Sequence, residues 1–308
     1  MSKNVSVQAT DNVTIVGTLM SLILREGQSK SSGAPYRSGA ANIRVNQTYL
    51  GKTEVSEIPV NFIAMKFKKD GTINPAYENI GVLSNMKTAQ NVGQSDAARV
   101  KISGKSGNIN ENMFAAPNNP ENVVSSWRIN ANFFNEVDAR MDTGDCATFN
   151  MDIFIMNMEH ETTKEGEETG RLKIRGGVVQ YGKKLDCIDF YVEDTSAIDF
   201  IERNWEVNTT VNVQGRIRYT SEVEEYHSAS SWGEDIPHST TKQKKELIIT
   251  TGSDSPFDED DGYAPEDIKV LNQDRLNRKE QIKIDAKNKA AKPAPAAAAP
   301  STGYGWEY

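Results

Sequence analysis

The stretch "TVNVQGRIRYTS", residues 210–221, alternates: Val211, Val213, Ile217 and Tyr219 fall on one side, Asn212, Gln214, Arg216 and Arg218 on the other. A period of two is the mark of a strand with one buried and one polar face. The same pattern runs through "VTIVGTLMSLILRE", "ANIRVNQTYL", "EIPVNFIAMKF", "ARVKISGKS" and "SWRINANFFNEV", separated by Gly, Ser, Asn and Pro clusters that read as turns. A second series follows: "ATFNMDIFIMNME", "RLKIRGGVVQYG", "KLDCIDFYVED", then the 210–221 stretch and "KELIITTG". Only "TSAIDFIERNW" within it has helical spacing, through Ile198, Ile201 and Trp205 behind a Thr/Ser start. Downstream, "IKVLNQDRLNRKEQIKIDAKNKAAK" predicts a helix with a thin apolar stripe (Ile268, Leu271, Ile282), which either lies on the body or stands in solvent.

Glycines interrupt the apolar rows in a repeated order. "VKISGK", Val100 to Lys105, superimposes on "VNVQGR", Val211 to Arg216, placing Gly104 on Gly215; "VTIVGTL" superimposes on "LKIRGGV", placing Gly17 on Gly176. Glycine on the core side of a strand packs nothing, but it permits the sharp coiling that closes a small barrel. Two such five-stranded units are predicted, with one short helix, "TSAIDFIERNW", late in the second. "ATFNMDIFIMNME" can be assigned to either. The chain is therefore expected to be mainly β. Its divisions are a first barrel domain over 1–140, a second over 141–252, an acidic linker over 253–267, a helix over 268–291 and a Pro/Ala tail over 292–308. The acidic and Pro/Ala pieces bury too little apolar surface to offset their ordering entropy and are expected to be mobile.

On these strand patterns, "VTIVGTLMSLILRE", "ARVKISGKSGNI" and "TVNVQGRIRYTS" resemble the first and fourth strands of OB-fold single-stranded DNA-binding proteins, especially those encoded by bacteriophages. The OB fold is a partly open five-stranded Greek-key barrel. The resemblance covers 13–252 and implies two OB-like barrels and sequence-tolerant binding of single-stranded DNA in replication or recombination. It also implies partner proteins recruited through a C-terminal tail. The tip "GYGWEY" offers Tyr304, Trp306, Glu307 and Tyr308 for that contact.

Charge changes this picture in one respect. The formal net charge of −8 counts against binding a polyanion, yet seven acids fall between Asp254 and Asp267 without a base, and setting them aside leaves −1. Single-strand binding needs cations for phosphates and aromatic rings for base stacking. The first connection, "REGQSKSSGAPYRSGAANIR", supplies Arg25, Lys30, Tyr36, Arg37 and Arg44; the fourth strand and the loop after it add Lys101, Lys105, Phe114, Trp127 and Arg128. The second unit offers Arg175, Tyr181, Lys183, Lys184, Arg216 and Arg218, and its long late loop holds Tyr226, Trp232, Lys242, Lys244 and Lys245. An ordinary solvated surface accounts for many of these equally well.

Other chemistries find no pattern. Cys146, Cys187 and three histidines lack metal-site spacing, "DEDDG" lacks the distal Glu of a calcium loop, and no nucleotide cradle or nucleophile elbow is present. No metal, cofactor or catalysis is expected. No 18-residue apolar run or signal-peptide core occurs, so a soluble intracellular protein without membrane contact is expected. The oligomeric state stays open, and the rival reading is a structural or assembly β protein, such as a phage virion component, that binds no nucleic acid.

Overall fold

The alternation predicted from sequence sets the architecture. In strand β1 (Asp11–Gln28) the inner row Val13, Ile15 and Leu19 is wholly buried. In β2 (Pro35–Tyr49) the same row is Ala41, Ile43 and Val45, and in β3 (Lys52–Met65) it is Ile58, Val60 and Phe62. The computed structural model describes residues 5–49, 51–138, 144–228 and 236–290. After β3 come helices α1 (Pro75–Leu83) and α2 (Ala89–Val92), then β4 (Arg99–Ile102), β5 (Gly107–Ala116), β6 (Asn119–Ala131) and the short β7 (Asn135–Glu136). The second series is β8 (Cys146–Thr162), β9 (Glu168–Gln180), β10 (Lys184–Val192), α3 (Thr195–Asn204), β11 (Thr210–Ser228) and β12 (Ile236–Gly252), and α4 (Pro265–Ala290) closes the described chain.

Each series closes on itself in the same order. In the first, β1 pairs with β2, β2 with β3, β3 runs parallel to β6, β6 pairs with β5, and β4 returns to β1. In the second, β8 pairs with β9, β9 with β10, β10 runs parallel to β12, β12 pairs with β11, and β11 returns to β8. Five strand positions joined 1-2-3-5-4-1, with a helix before the fourth, make two OB barrels. The helices are fixed locally: the Asn74 side chain caps α1 at the Ala76 amide (3.1 Å), and Asp194 caps α3 at the Ala197 amide (3.0 Å). Ile80 and Leu83, and Ile198 and Ile201, turn inward. The first strands of the two barrels, β1 and β8, pair antiparallel from Asp11↔Met151 to Val16↔Cys146, so the barrels share one sheet.

Three expectations are corrected. "ATFNMDIFIMNME" is the first strand of the second barrel, so Gly176 lies in its second strand and is not the counterpart of Gly17. Gly104 lies in a single 3₁₀ turn between β4 and β5 with φ +48, because the fourth strand of the first barrel is broken there. Gly215 does have the expected role: a Cβ at that position would sit 1.9 Å from the Ile248 carbonyl oxygen and 2.7 Å from the Phe149 ring, beside a bulge after Gln214. Third, the acidic segment is held against the second barrel. The Phe257 amide donates to the Thr210 carbonyl, the Tyr263 amide to Thr210 Oγ1, and the buried Tyr263 hydroxyl to the Val7 carbonyl. The helix that follows starts at Pro265 rather than 268 and lies on the body, with Ile268 and Leu271 buried.

Candidate nucleic-acid interface

In a sheet, residues directly opposite one another point the same way, so register alone places side chains on a common face. Across β1, β2 and β3 the outward rows are Thr18–Arg44–Glu57, Ser21–Asn42–Pro59, Ile23–Ala40–Asn61, Arg25–Ser38–Ile63 and Gly27–Tyr36–Met65. The parallel pair Asn61↔Asn130 carries this face onto β6, where the Asn61 amide donates to the Ile129 carbonyl and Asn132 accepts from the Ile63 amide. On β5 and β6 the outward pairs are Asn108↔Asn130, Asn110↔Arg128 and Phe114↔Val124. The face combines cations, aromatic rings, amides and uncovered aliphatic carbon: Ile23 is 56% and Ile63 63% exposed. Strands two and three of an OB barrel, with the loop joining strands one and two, are its usual ligand surface.

The structure gathers several predicted residues there. Arg25 is exposed with no counter-ion among the described residues, Lys30 is exposed in the turn joining β1 and β2, and the Tyr36 ring covers Gly27 on the neighbouring strand. Arg44, Phe114 and Arg128 share the outward rows. Arg44 spends one nitrogen on Gln94 (3.2 Å). Lys105 lies in the 3₁₀ turn, beside a recess that also includes Asn130 and Asn132. Lys101 is exposed on β4, on the other side of β1 from β2.

Others go elsewhere. Arg37 belongs to the inward row of its strand, pairs with Glu26 at 2.7 Å, donates to the Tyr77 carbonyl and stacks 4.2 Å from the Tyr77 ring centre, so it ties β2 to α1. Trp127 is on β6 rather than in a loop, 9% exposed, edge-on to Tyr219 with the Lys245 ammonium 5.1 Å from its ring centre. Arg175 pairs with Asp189 at 2.8 Å. Tyr181 and Lys183 form the exposed turn joining β9 and β10. The side chains of Tyr226 and Lys242, and the whole of Trp232, Tyr304, Trp306, Glu307 and Tyr308, lie outside the described residues.

Arg216 and Arg218 do point outward from the second barrel, but the first barrel covers them. The β2–β3 hairpin extends past its own barrel and lays Glu54 and Tyr49 on β11. Arg218 binds Glu193 (2.6 Å), Glu246 (3.0 Å) and Glu54 (3.1 Å); Arg216 binds Glu193 (2.9 Å) and Glu54 and stacks 4.3 Å from the Tyr49 ring centre. Arg171 joins through Glu246 and Glu161, both at 2.8 Å. Burial opposes ionisation of Glu54 and Glu246, but the facing arginines outweigh it and hold both below the usual glutamate range. These arginines clamp the barrels together, and the expectation that they follow a phosphate backbone is replaced by that role.

Sequence reasoning missed the amides Asn42, Asn61, Asn110 and Asn130 and the aliphatics Ile23 and Ile63. The amides stand at polar positions of alternating runs ("ANIRVN", "WRINAN"), a signal that a search for cations and rings passes over. Lys279 was also missed, because only the tertiary arrangement brings α4 beside β12, and Lys245, expected in the late loop, lies on β12 instead.

Two OB barrels joined through their first strands, with one strand face left open, define a tandem-barrel β protein. The chain belongs to the YorF family, whose model matches residues 9–288. A search of curated proteins finds no match. Among solved structures, the chain is similar to a deletion mutant of the single-stranded DNA-binding protein from Thermus aquaticus, at 9% identity and a TM-score of 0.48, covering 82% of this chain and 96% of that one. It also aligns with a Replication Protein A heterotrimer bound to ssDNA, at 10% identity and a TM-score of 0.18, covering 91% of this chain and 70% of that one.

Proposed function

We propose that the protein is a non-enzymatic, sequence-tolerant single-stranded DNA-binding protein whose first barrel carries the primary binding face. One observation bears most of the weight: the outward rows of β1, β2, β3 and β6 bring Arg25, Tyr36, Asn61, Ile63, Asn130 and Arg128 onto an uncovered surface. Cations suit phosphates, a ring and aliphatic side chains suit base faces, and amides accept any base edge, which gives affinity without a sequence code. On the second barrel, α4 packs along β10, where Arg278 donates to the Leu185 carbonyl, and takes up part of the corresponding face. The physiological setting we infer is protection of single strands in replication or recombination, in a bacteriophage. The aromatic tip Tyr304, Trp306, Glu307 and Tyr308 recruits partner proteins, as its likeness to the tails of bacterial single-strand binders supports.

The test is fluorescence anisotropy of a labelled mixed-sequence single strand, with duplex competitor, over a salt series. Tight binding that duplex does not displace and that weakens steeply with salt is expected. Tyr36→Ala is expected to cost about 1–3 kcal/mol, the worth of one base stack, and Arg25→Gln to lower the salt slope. Absence of binding at low salt overturns the reading.

A further inference from the structure

A second cationic feature lies away from the open face. Where β6 of the first barrel, β10 and β12 of the second and helix α4 converge, a groove of about 500 Å³ is lined by Trp127, Arg175, Asp189, Lys245, Arg275 and Lys279. Four of these are cations and one is an acid, in a chain whose net charge is −8. Two of the cations are already neutralised: Arg175 binds Asp189, and Arg275 binds Glu111, which lies behind the groove wall. The other two are not. Among the described residues the Lys245 ammonium donates to the Trp127 carbonyl oxygen at 2.6 Å and has no carboxylate partner, and neither has Lys279. A half-buried ammonium without a counter-ion is costly to keep charged, and burial accordingly holds Lys245 below the usual lysine range. An anion entering the groove offsets that cost.

The groove also connects with the open face. Strand β6 is their common wall: Trp127 lines the groove, the next residue Arg128 points outward, and Asn130 two residues on lies beside Asn61 of the face. We propose that this groove is a second contact site for the phosphodiester backbone of the same single strand, with Lys245 and Lys279 as its phosphate ligands. The inference rests on the single-strand reading above and deepens it. The groove engages strands too long for the first barrel's face alone and lengthens the binding site across the junction of barrels and helix.

The test compares labelled single strands of about 30 and about 8 nucleotides, since one OB face holds roughly 4–16. The double variant Lys245→Gln, Lys279→Gln is expected to flatten the log–log salt slope for the long strand by about 1.4, at about 0.7 per phosphate contact, and to leave the short strand unchanged. Because Lys245 is packed against Trp127, Lys279→Gln alone serves as the fold-neutral variant, with a change of about 0.7 expected. Equal slopes for wild type and Lys279→Gln on the long strand, with wild type still binding tightly, overturn the groove and leave the first-barrel reading intact. Loss of long-strand affinity in the groove variants, with none in Tyr36→Ala and Arg25→Gln, sustains the groove and removes the first-barrel face. Failure of the wild type to bind either strand overturns both.

Discussion

Gly215 shows how one residue can be explained twice, by sequence and by space. A glycine on the apolar side of an alternating strand weakens the ladder, so it calls for a structural reason. The reason is the Ile248 carbonyl oxygen, which approaches so closely that no Cβ fits. Gly215→Ala is therefore expected to destabilise the protein by about 3 kcal/mol, the upper part of the range for overpacking, because backbone rather than a flexible side chain must give way. The shift of the urea midpoint measures it, and a change within about 0.5 kcal/mol, the ordinary surface range, contradicts it. Gly104 was misread for a physical reason as well. Its flanking pattern is that of a strand, but a positive φ suits a turn equally, and nothing local distinguishes a glycine that permits a bulge from one that ends a strand.

At the scale of elements, strand identities were legible because each strand is half buried and the period of two survives in the sequence. Register and reach were not legible. β2 and β3 continue past the barrel they close, and their far ends serve a different barrel: Ser56 there accepts from the Tyr219 amide, and Glu54 enters the arginine cluster. Nothing in "KTEVSE" announces a change of partner along a single strand. The cluster itself is a network of opposed charges partly withdrawn from water, in which Glu54, Glu193 and Glu246 are each shared between two or more cations. Arg218→Ala removes one of the cations on Glu246, whose side chain is 4% exposed and keeps Arg171 and Lys244, and leaves Arg216 as the arginine that still holds Glu54 to Glu193. A loss of about 1.5–3 kcal/mol in folding stability is expected, the range for hydrogen bonds to charged groups, because the carboxylates keep their other cations. Chemical denaturation measures the loss, and anisotropy on the folded variant is expected to show unchanged single-strand affinity. A weakened affinity at intact stability would return Arg218 to the binding surface.

For the whole molecule, the joint between the barrels contains a carboxyl group whose ionisation depends on folding. Asp11 opens β1 and sits where that strand meets β8. Its carboxylate accepts from the Ile109 amide of the first barrel (3.0 Å) and from Gln180 Nε2 of the second (2.9 Å), with Asp186 nearby. Burial is the main cause that pushes its pKa up to about 6; the two hydrogen bonds act against that shift, and Asp186 adds to it. In the unfolded chain the same group titrates near 3.8. Between those values the folded state keeps a proton that the unfolded state releases. Stability contributed by this group is therefore greatest below about pH 4 and is lost as pH rises through about 6, by about 2–3 kcal/mol in total. Glu54, Glu111 and Glu246 are held low by arginines and act in the opposite direction, losing their contribution as pH falls, so the pH profile of the wild type alone mixes both signs. The difference between wild type and Asp11→Asn isolates the joint, because the amide oxygen can still accept from Ile109 and Gln180 but no longer ionises. Urea midpoints of the two proteins at intervals from about pH 4 to about pH 7 are expected to diverge, with wild type losing about 2–3 kcal/mol relative to the variant as pH rises. Parallel profiles would mean that Asp11 titrates normally, and that water reaches the seam where the two barrels meet.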